Sequence, residues 1–412
     1  MKFLHLADLH LGKMLCGASL TENGDQGYCL ERILELTDRE KPDAVVIAGD
    51  VYDRGVPSKE AVTLLSRFLS ELAGEKRKIP VLLIAGNHDG GERLDFLKEL
   101  LSEQNVYISG TVEKELTHME ISADGEPVTF WLMPYVFPMK VRDLFSLTAE
   151  EVTDYESAVR VLLEHQNIDT SKRNVLIAHQ FVTAGGKAPV QSESESAVGG
   201  LGAVDCSVFD KFDYVALGHI HSAQSVGRDS VRYAGAPLCC HFSETGQKKG
   251  ALLVTLGEKG AEVKTELSEL PVLHKMRRLN GKFAELLEQE RLLETENEYI
   301  SVTLTDREAV FDAAEQLRAL FESRGSKLLD LSFRPEGGFA GGVEDFSGEF
   351  REKTMPELFA EFFENRRGRT MDEKERELIE SVSRRITSGE DVSAEELAEY
   401  LVKLAMEQEG ER

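Results

Sequence analysis

The chain has 412 residues, of which 41% are hydrophobic, and a formal net charge of −26 at pH 7. This length predicts two or three domains, because a domain usually has about 100–200 residues. No stretch approaches the ~18 uninterrupted apolar residues of a membrane span. The first residues also lack the apolar region and cleavage site of a signal peptide, so we expect a cytoplasmic protein. The acidic charge alone argues against nucleic acid as a partner, since phosphate binding usually needs a basic surface.

Short apolar runs alternate with helical patterns up to about residue 270. The runs are rich in Val, Ile and Leu, which is typical of buried strands; they are residues 2–7, 43–49, 79–86, 174–179 and 213–219. Residues 58–76 have apolar positions at helical spacing, and Ser58 is the predicted N-cap of that helix. This alternation predicts an α/β core. Residues 128–137 and 251–267 have the pattern of antiparallel strands with turns, so we expect mixed sheets.

A second region covers residues 273–336. Two strand patterns, at 300–306 and 327–333, flank a helical pattern at about 307–323. This arrangement predicts a small α+β domain that caps the first one.

A third region follows a Gly-rich, acidic stretch at 334–349, which has the composition of a linker. Residues 354–408 are helical in pattern, with two apolar stripes that consist of Met355, Leu358, Phe359, Phe362 and Phe363, and of Leu397, Tyr400, Leu401 and Leu404. The stripes need a surface to cover, either each other, their own domain or another chain. The predicted domains are therefore 1–272, 273–336 and 337–412.

Five of the apolar runs end in polar side chains that can bind metal ions. In chain order these side chains are Asp8 and His10, then Asp50, then Asn87 and His88, then His179, then His219 and His221. Sites in open α/β sheets form beyond the carboxyl ends of the strands, so five such ends can converge on one spot. Each motif alone is weak, because a D-x-H pair can be a surface feature and GNHD can be a turn. Five such motifs in this order, each after an apolar run, together predict a metal-binding site.

The residue types predict the kind of site. Carboxylate, imidazole and amide groups without cysteine disfavour a closed structural zinc site and suit Mn²⁺, Fe²⁺ or Mg²⁺. Seven protein ligands are too many for one ion with room for a substrate; they are Asp8, His10, Asp50, Asn87, His179, His219 and His221. We therefore expect two ions that share a bridging carboxylate, about 3.5–4 Å apart, as in enzymes of phosphoryl displacement.

These motifs resemble those of the calcineurin-like metallophosphoesterases, namely D-x-H, GD-x-x-D, GNHD, a later His and GH-x-H. The stretches "LHLADLHLGK", "GDVYDRGVPS", "AGNHDGGERLDF" and "FDYVALGHIH" more closely resemble the SbcD family of nuclease subunits, which are homologous to the Mre-type double-strand-break nucleases. The resemblance covers about the first 270 residues, is looser in the second region and is weakest after 340. It implies two mixed β-sheets flanked by helices, a capping domain and a C-terminal helical segment.

The resemblance also implies roles for the site residues. One ion would be bound by Asp8, His10 and His221, the other by Asn87, His179 and His219, and Asp50 would bridge them. His88 would be the catalytic acid, and Asp53 would orient it through a carboxylate–imidazole pair. Archaeal and eukaryotic relatives carry a His where this chain has Asp53, so their proton transfers do not carry over. Arg54 would contact a phosphate, or else form a surface salt bridge.

The family function is a Mn²⁺-dependent DNA nuclease that acts on double-strand ends and hairpins in repair, recombination and replication. Such a subunit would be nucleoid-associated, and would form a homodimer within a heterotetramer with a coiled-coil ATPase, SbcC. Bound ions or this partner would offset the acidic charge. Two other function classes stay open, a phosphatase or nucleotide phosphodiesterase with a small substrate, and a non-catalytic scaffold. The intact ligands argue against the scaffold, and the second region and tail argue against the small substrate.

Overall fold

The computed structural model describes residues 1–334 apart from 124, 194, 196–201, 292–295, 308–309 and 311, and beyond these only residues 360, 363, 370–372, 376 and 379. Helices in the described residues are α1 Asp25–Glu40, α2 Lys59–Ala73, α3 Gly91–Leu94, α4 Lys98–Ser102, α5 Pro138–Phe145, α6 Tyr155–Glu164, α7 Phe283–Arg291 and α8 Ala313–Glu322.

Strands β1 to β10 are, in order, Lys2–Leu6, Met14–Leu15, Ala18–Ser19, Ala44–Ala48, Val81–Ile84, Val106–Ser109, Thr117–Ile121, Val128–Met133, Arg173–His179 and Phe181–Thr183. Strands β11 to β19 are Ala203–Asp205, Tyr214–Gly218, Gln224–Val226, Arg228–Tyr233, Gly250–Thr255, Lys264–Glu269, Lys275–Gly281, Glu298–Leu304 and Lys327–Phe333.

Two six-stranded sheets lie face to face. Their strand orders are β16-β15-β1-β4-β5-β6 and β13-β14-β12-β9-β8-β7. Both are mixed, since β1, β4, β5 and β6 are parallel while β15 and β16 are antiparallel to their neighbours, and β7 and β13 are antiparallel edges of the second sheet. The five predicted strands are confirmed as β1, β4, β5, β9 and β12, and the expected mixed sheets are confirmed as well.

The alternation of side chains along each strand builds a four-layer core. In β4, Val46 faces the second sheet and packs in a cluster with Phe130 and Ile177, while Ile47 faces outward against α1 and α2. In β9 of the second sheet, Leu176 points away from the first sheet and packs against α6. Successive residues of a strand point to opposite faces, so strands covered on both faces are apolar throughout. The resulting layers are helix, sheet, sheet and helix.

Helix α2 begins where the sequence predicts. The side chain of Ser58 accepts a hydrogen bond from the backbone N–H of Ala61 at 3.3 Å, so Ser58 is the N-cap. Leu65, Phe68 and Leu72 are buried on the side that faces the first sheet. A side-chain cap satisfies one of the N–H groups left unpaired at the start of a helix.

The second region is a three-stranded sheet, β17-β18-β19, with α7 and α8 in the connections. All three strands are parallel, so this domain is a β-α-β-α-β unit of the α/β type and not the expected α+β unit. The sequence prediction lacked β17, whose residues, KMRRLNG, have no apolar run. Phe283, Ile300 and Leu317 belong to a small core between the sheet and its helices.

A buried carboxylate joins this capping unit to the first domain. Asp25, the first residue of α1, accepts hydrogen bonds from the Tyr299 hydroxyl at 2.7 Å and from His274 Nδ1 at 2.8 Å. Tyr299 is completely buried and belongs to the same apolar cluster as α1 and α2. The capping sheet therefore has one face on its own helices and the other on the first domain.

The chain divides into two compact units, residues 1–338 and 339–412. The predicted tail stripes lie outside the described residues, apart from Phe363. Among the described helices, none has the length and apolar character needed to cross a membrane.

Removal of the Asp25 carboxylate should destabilise the protein. Asp25→Ala leaves the buried Tyr299 hydroxyl without its acceptor, which costs about 1–3 kcal/mol. Urea unfolding of the two proteins measures this difference. As a control, Asp38→Ala removes an exposed carboxylate that pairs with Arg77 and should change the free energy of unfolding by less than about 1 kcal/mol. Equal effects of the two substitutions would contradict the proposed interdomain contact.

Candidate metal centre

The predicted ligands lie at one edge of the two sheets. Strands β1, β4 and β5 are adjacent and parallel in the first sheet, so the residues that follow them leave at the same edge. Strands β9 and β12 are adjacent and parallel in the second sheet. The structure brings together all seven predicted ligands, which are Asp8, His10, Asp50, Asn87, His179, His219 and His221.

The backbone at this edge is unusual. Asp8, His10, Asp50 and His219 have positive φ angles of 54°, 43°, 47° and 101°. Residues other than glycine rarely adopt this region, and such conformations cluster at functional sites. Hydrogen bonds between the strand-end loops hold the conformation, since Asp8 N donates to Gly49 O at 3.0 Å and His10 N donates to the carbonyl of Asp50 at 2.9 Å.

Atoms with electron pairs from Asn87, Asp50 and His219 lie close together beside the ring of His179. Its Nδ1 lies 2.8 Å from the carbonyl oxygen of Ala48, which only accepts, so Nδ1 carries the proton and Nε2 has the lone pair. This Nε2 lies 3.1 Å from Asn87 Oδ1 and 3.3 Å from Asp50 Oδ2. His219 Nδ1 lies 3.0 Å from the same Asn87 oxygen. Acceptors this close together require a proton or a cation between them, so the donor set fits a metal ion.

A second group lies beside the first. Asp8, His10 and His221 each place one ligand atom within 4.8 Å of the others, and all three are buried. His10 Nε2 is 3.1 Å from His221 Nε2. The carboxylate of Asp50 lies between the groups, because its Oδ2 is 3.6 Å from His10 Nε2 as well as 3.3 Å from His179 Nε2. The arrangement can hold two cations that share one carboxylate.

The pKa values of these side chains also reflect the burial of carboxylates next to imidazoles. Burial lowers the pKa of His179, but the carboxylate of Asp50 raises it more, to about 9. Burial raises the pKa of Asp8 to about 6, against the opposing effect of His179 and His221. Burial also lowers the pKa of His219 to about 3. The raised pKa of His179 reflects the charge of the buried Asp50 carboxylate, which a divalent ion at this place would also offset.

His88 lies at the exposed rim of the site. Its ring centroid is 5.0 Å from that of His10, and its backbone N–H donates to Asp50 Oδ1 at 2.9 Å. Nδ1 of the ring donates to the main-chain carbonyl of Asp53 at 3.0 Å. The other ring nitrogen, Nε2, is therefore the one available to a substrate.

The expected carboxylate–imidazole pair between Asp53 and His88 is not the contact that the structure has. The main-chain carbonyl of Asp53 orients His88, while its carboxylate accepts from Lys13 Nζ at 2.8 Å and lies 3.7 Å from His10 Nδ1. A nearby lysine competes for the carboxylate, and it is not part of the motif that suggested the pair. Arg54 has an exposed side chain, with Nε 3.8 Å from Asp53 Oδ2.

Asp89 fastens the loop that carries Asn87 and His88. Its carboxylate accepts three backbone N–H bonds, from Val51 at 3.0 Å, Tyr52 at 2.8 Å and Gly86 at 2.9 Å. The loops after β4 and β5 are thereby tied to each other. Asp89 therefore supports the turn that presents Asn87 and His88.

Sequence reasoning missed the residues behind His221. Glu244 Oε1 accepts from His221 Nδ1 at 2.8 Å, and Glu195 Oε1 accepts from the backbone N–H of His221 at 2.6 Å. Lys249 Nζ bonds Glu244 Oε2 at 2.7 Å. None of them ends an apolar run, so strand-end reasoning could not find them. These residues stand out because they are charged and yet buried, and only the structure shows that they are buried.

Comparison with known proteins agrees with this geometry. The family model described as calcineurin-like phosphoesterase matches residues 1–223, and the model described as type 5 capsule protein repressor C-terminal domain matches residues 272–367. A curated relative, the SbcD subunit of the SbcCD nuclease of Staphylococcus epidermidis, is 33% identical over 323 residues, which is 78% of this chain and 83% of the relative.

Two solved structures are also similar. The crystal structure of TT1561 of Thermus thermophilus is 12% identical, with a TM-score of 0.36, over 65% of this chain and 98% of that one. GAP50, described as the anchor in the inner membrane complex of Plasmodium, is 12% identical, with a TM-score of 0.34, over 82% of this chain and 98% of that one. Likeness at this level carries no information on function. The family models and the curated relative place the chain in the calcineurin-like phosphoesterase family, among its SbcD-type nuclease subunits.

Substitution of Gly86 should disturb the centre of this site. A Cβ at Gly86 would overlap the carboxylate and the backbone nitrogen of Asp50. We expect Gly86→Ala to reduce the divalent-metal content of the purified protein and to lower its stability by about 1–3 kcal/mol, as overpacking does. Elemental analysis after desalting and urea unfolding measure the two effects.

Gly27→Ala is the matched control, because the nearest atom to a Cβ there is Leu64 Cδ1 at 4.0 Å. An alanine in helix α1 should leave the metal content unchanged and the stability unchanged or higher. Full metal content in the Gly86→Ala protein would show that Asp50 does not depend on this close approach.

Proposed function

We propose that this chain is a metal-dependent nuclease subunit that hydrolyses the phosphodiester bonds of DNA and works with an SbcC-like ATPase. The observation that carries the proposal is the cluster of seven nitrogen and oxygen ligands at five strand ends. Its side chains come from both sheets, so the intact fold is needed to form it. The family membership reported above supports the same reaction class.

The ligands divide into two sets in this proposal. Asp8, His10 and His221 would hold one ion, and Asn87, His179 and His219 would hold the other, with Asp50 between them. The distances from Asp50 Oδ2 to His10 and His179 support this division. Divalent ions bound there would polarise the phosphoester and neutralise the charge that builds up on its oxygens. Mn²⁺ is the ion that we propose, with Mg²⁺ and Fe²⁺ as alternatives, since the donor set has no sulfur.

His88 would protonate the leaving oxygen. Its Nδ1 is held by a carbonyl, which fixes the ring and directs Nε2 outward from an exposed position. A protonated ring can then donate from Nε2 to a substrate at the rim. Asp53 contributes by positioning, through its carbonyl on His88 and its carboxylate beside His10. Arg54 and its exposed guanidinium would meet a phosphate of the substrate.

The net charge of −26 bears on the substrate. An acidic chain alone binds DNA poorly, because DNA affinity comes largely from lysine and arginine contacts to phosphates. Bound divalent ions offset part of this charge at the centre of the site. A basic partner would supply the remaining contacts. An alternative function, hydrolysis of small phosphoesters, has the same chemistry but needs neither a partner nor a capping unit.

Cleavage assays with His88→Gln test the proposed reaction. The wild-type chain with Mn²⁺ should cleave end-labelled duplex DNA, and chelation should stop it. His88→Gln should lose about 10²–10⁴-fold in rate, as expected for removal of a proton donor, while its metal content stays at the wild-type level. Activity within threefold of wild type would contradict the role of His88.

His165→Gln is the control, because His165 is exposed and contacts Phe145 edge to face, away from the ligands. The same assay includes a phosphomonoester and a generic phosphodiester dye. Hydrolysis of the small esters without cleavage of DNA would favour the alternative function.

The partner contact is proposed for the C-terminal region. Residues 343–412 hold 20 acidic and 11 basic residues, so they make an unsuitable DNA clamp. An amphipathic helix with apolar residues at helical spacing suits a groove on another protein. We propose that this segment docks on the coiled coil of the ATPase subunit.

Deletion of residues 350–412 should leave Mn²⁺-dependent cleavage of short DNA intact and abolish stable binding to the ATPase subunit. Phe359→Glu combined with Phe363→Glu should have the same effect, because burial of an unpaired charge is strongly unfavourable. Size-exclusion chromatography of the mixed subunits measures the complex. Co-elution of the truncated chain with the ATPase subunit at undiminished affinity would contradict the docking role. It would indicate that the tail packs on its own chain.

An exposed apolar patch supports the proposed homodimer. Phe96, Leu97 and Leu100, near the short helices α3 and α4, are 72%, 49% and 57% exposed, and Val62 on α2 is 43% exposed. Adjacent apolar side chains with this exposure are typical of surfaces that another protein covers.

We expect Phe96→Glu to shift the chain from dimer to monomer in sedimentation analysis. A control is Val190→Glu, since Val190 is 70% exposed but lies in a different loop. A chain that stays dimeric with Phe96→Glu would place the dimer contact elsewhere.

A further inference from the structure

Glu244 holds the imidazole of His221 from behind the metal centre. The distance from Glu244 Oε1 to His221 Nδ1 is 2.8 Å. An ionised carboxylate only accepts, so Nδ1 carries the proton and Nε2 keeps its lone pair. That Nε2 is the atom that faces His10, 3.1 Å away, on the side of the ligands. The contact therefore fixes both the orientation and the tautomer that a metal ligand needs.

Glu244 is fixed in its turn. Its second oxygen, Oε2, lies 2.7 Å from Lys249 Nζ and accepts from the backbone N–H of Cys240 at 3.1 Å. Lys249 Nζ also donates to the main-chain carbonyl of His221 at 2.8 Å. The ammonium thus joins the carboxylate to the residue that the carboxylate orients. Glu244 is completely buried and Lys249 is 7% exposed, so this charged pair is shielded from solvent.

The imidazole of His179, a ligand of the other set, is held differently. Nδ1 of His179 donates to a backbone carbonyl, that of Ala48. Among the predicted histidine ligands, His221 has a salt-bridged carboxylate on its second nitrogen. A carboxylate raises the basicity of an imidazole more than a neutral carbonyl does, and so strengthens its bond to a cation.

Glu195, His221 and Glu244 have the composition of a metal site of their own. However, Lys249 already supplies the positive charge to Glu244, and the proton on His221 Nδ1 excludes that nitrogen as a ligand. The trio therefore serves the main centre and does not form a third cation site.

The 3₁₀ helix Phe242–Glu244 gives this support a rigid base. Phe242 is buried in the core of the first sheet and its helices. The side chain of His241 caps the 3₁₀ helix by accepting from the backbone N–H of Ser243. Glu244 thus cannot shift without disturbance of the core.

We propose that Glu244, held by Lys249, is a positioning residue that sets the affinity of one of the two metal positions through His221. The proposal rests on the two-metal site proposed above. It concerns the Asp8–His10–His221 position and leaves the Asn87–His179–His219 position unaffected. Substitutions of outer carboxylates of this kind typically weaken metal binding by about 10–100-fold.

Calorimetric titration with Mn²⁺ tests the proposal on the full chain after chelation and dialysis. The wild-type chain should bind two equivalents. Glu244→Ala should weaken one binding event by about 10–100-fold and leave the other within threefold. Glu244→Gln, which keeps an acceptor oxygen but loses the charge, should fall between these values. The Mn²⁺ concentration for half-maximal DNA cleavage should rise in the same order, while the rate at saturating Mn²⁺ should be largely restored.

The control is Glu298→Gln, because Glu298 is also buried and salt-bridged, to Arg277, but lies in the capping sheet. A purely structural role for Glu244 would lower stability without selective loss of one ion, which is the result expected of this control.

Wild-type affinity for both ions in a folded Glu244→Ala protein would overturn the positioning role. If that variant does not fold, Glu244→Gln decides the question, and unchanged affinities would overturn the proposal. A wild-type chain that binds no Mn²⁺ would contradict the proposed function itself, which separates the two failures.

Discussion

The whole site depends on electron-pair donors that meet where the two sheets end. Asp50 follows a strand of the first sheet, His179 ends a strand of the second, and their side chains approach to 3.3 Å. The buried carboxylate of Asp50 raises the pKa of His179 to about 9, so the pair favours positive charge at this place. The left-handed backbone positions and the three hydrogen bonds of Asp89 fix the loops that carry these groups.

The order of the strands explains why so few motifs define such a site. Three adjacent parallel strands in one sheet and two in the other deliver their following residues to one edge. The sequence could therefore predict the convergence from apolar runs and the polar residues that end them. It could also predict the N-cap of α2 at Ser58, because that signal is local.

The parts that the sequence could not predict involve residues distant in the chain. Strand β17 has no apolar run, because it is an edge strand of the capping sheet and all of its residues are exposed or half-buried. The carboxylate of Asp53 pairs with Lys13, and a motif read by itself does not contain that competitor. Glu244 lies 23 residues from His221 in the chain. It belongs to none of the sequence motifs that predicted the ligands. Each case depends on which groups are buried together, which only the folded chain determines.

The left-handed backbone at Asp8, His10, Asp50 and His219 has a consequence for the order of events in assembly. These angles are held by hydrogen bonds between the loops and by the sheets behind them. Ordering of the ligand loops is thus coupled to the packing of the two sheets. In zinc fingers, by contrast, binding and folding are a single transition. The apolar cores on both sides of the two sheets supply a driving force for folding that does not depend on metal, so this chain, unlike a zinc finger, should fold before it binds its ions.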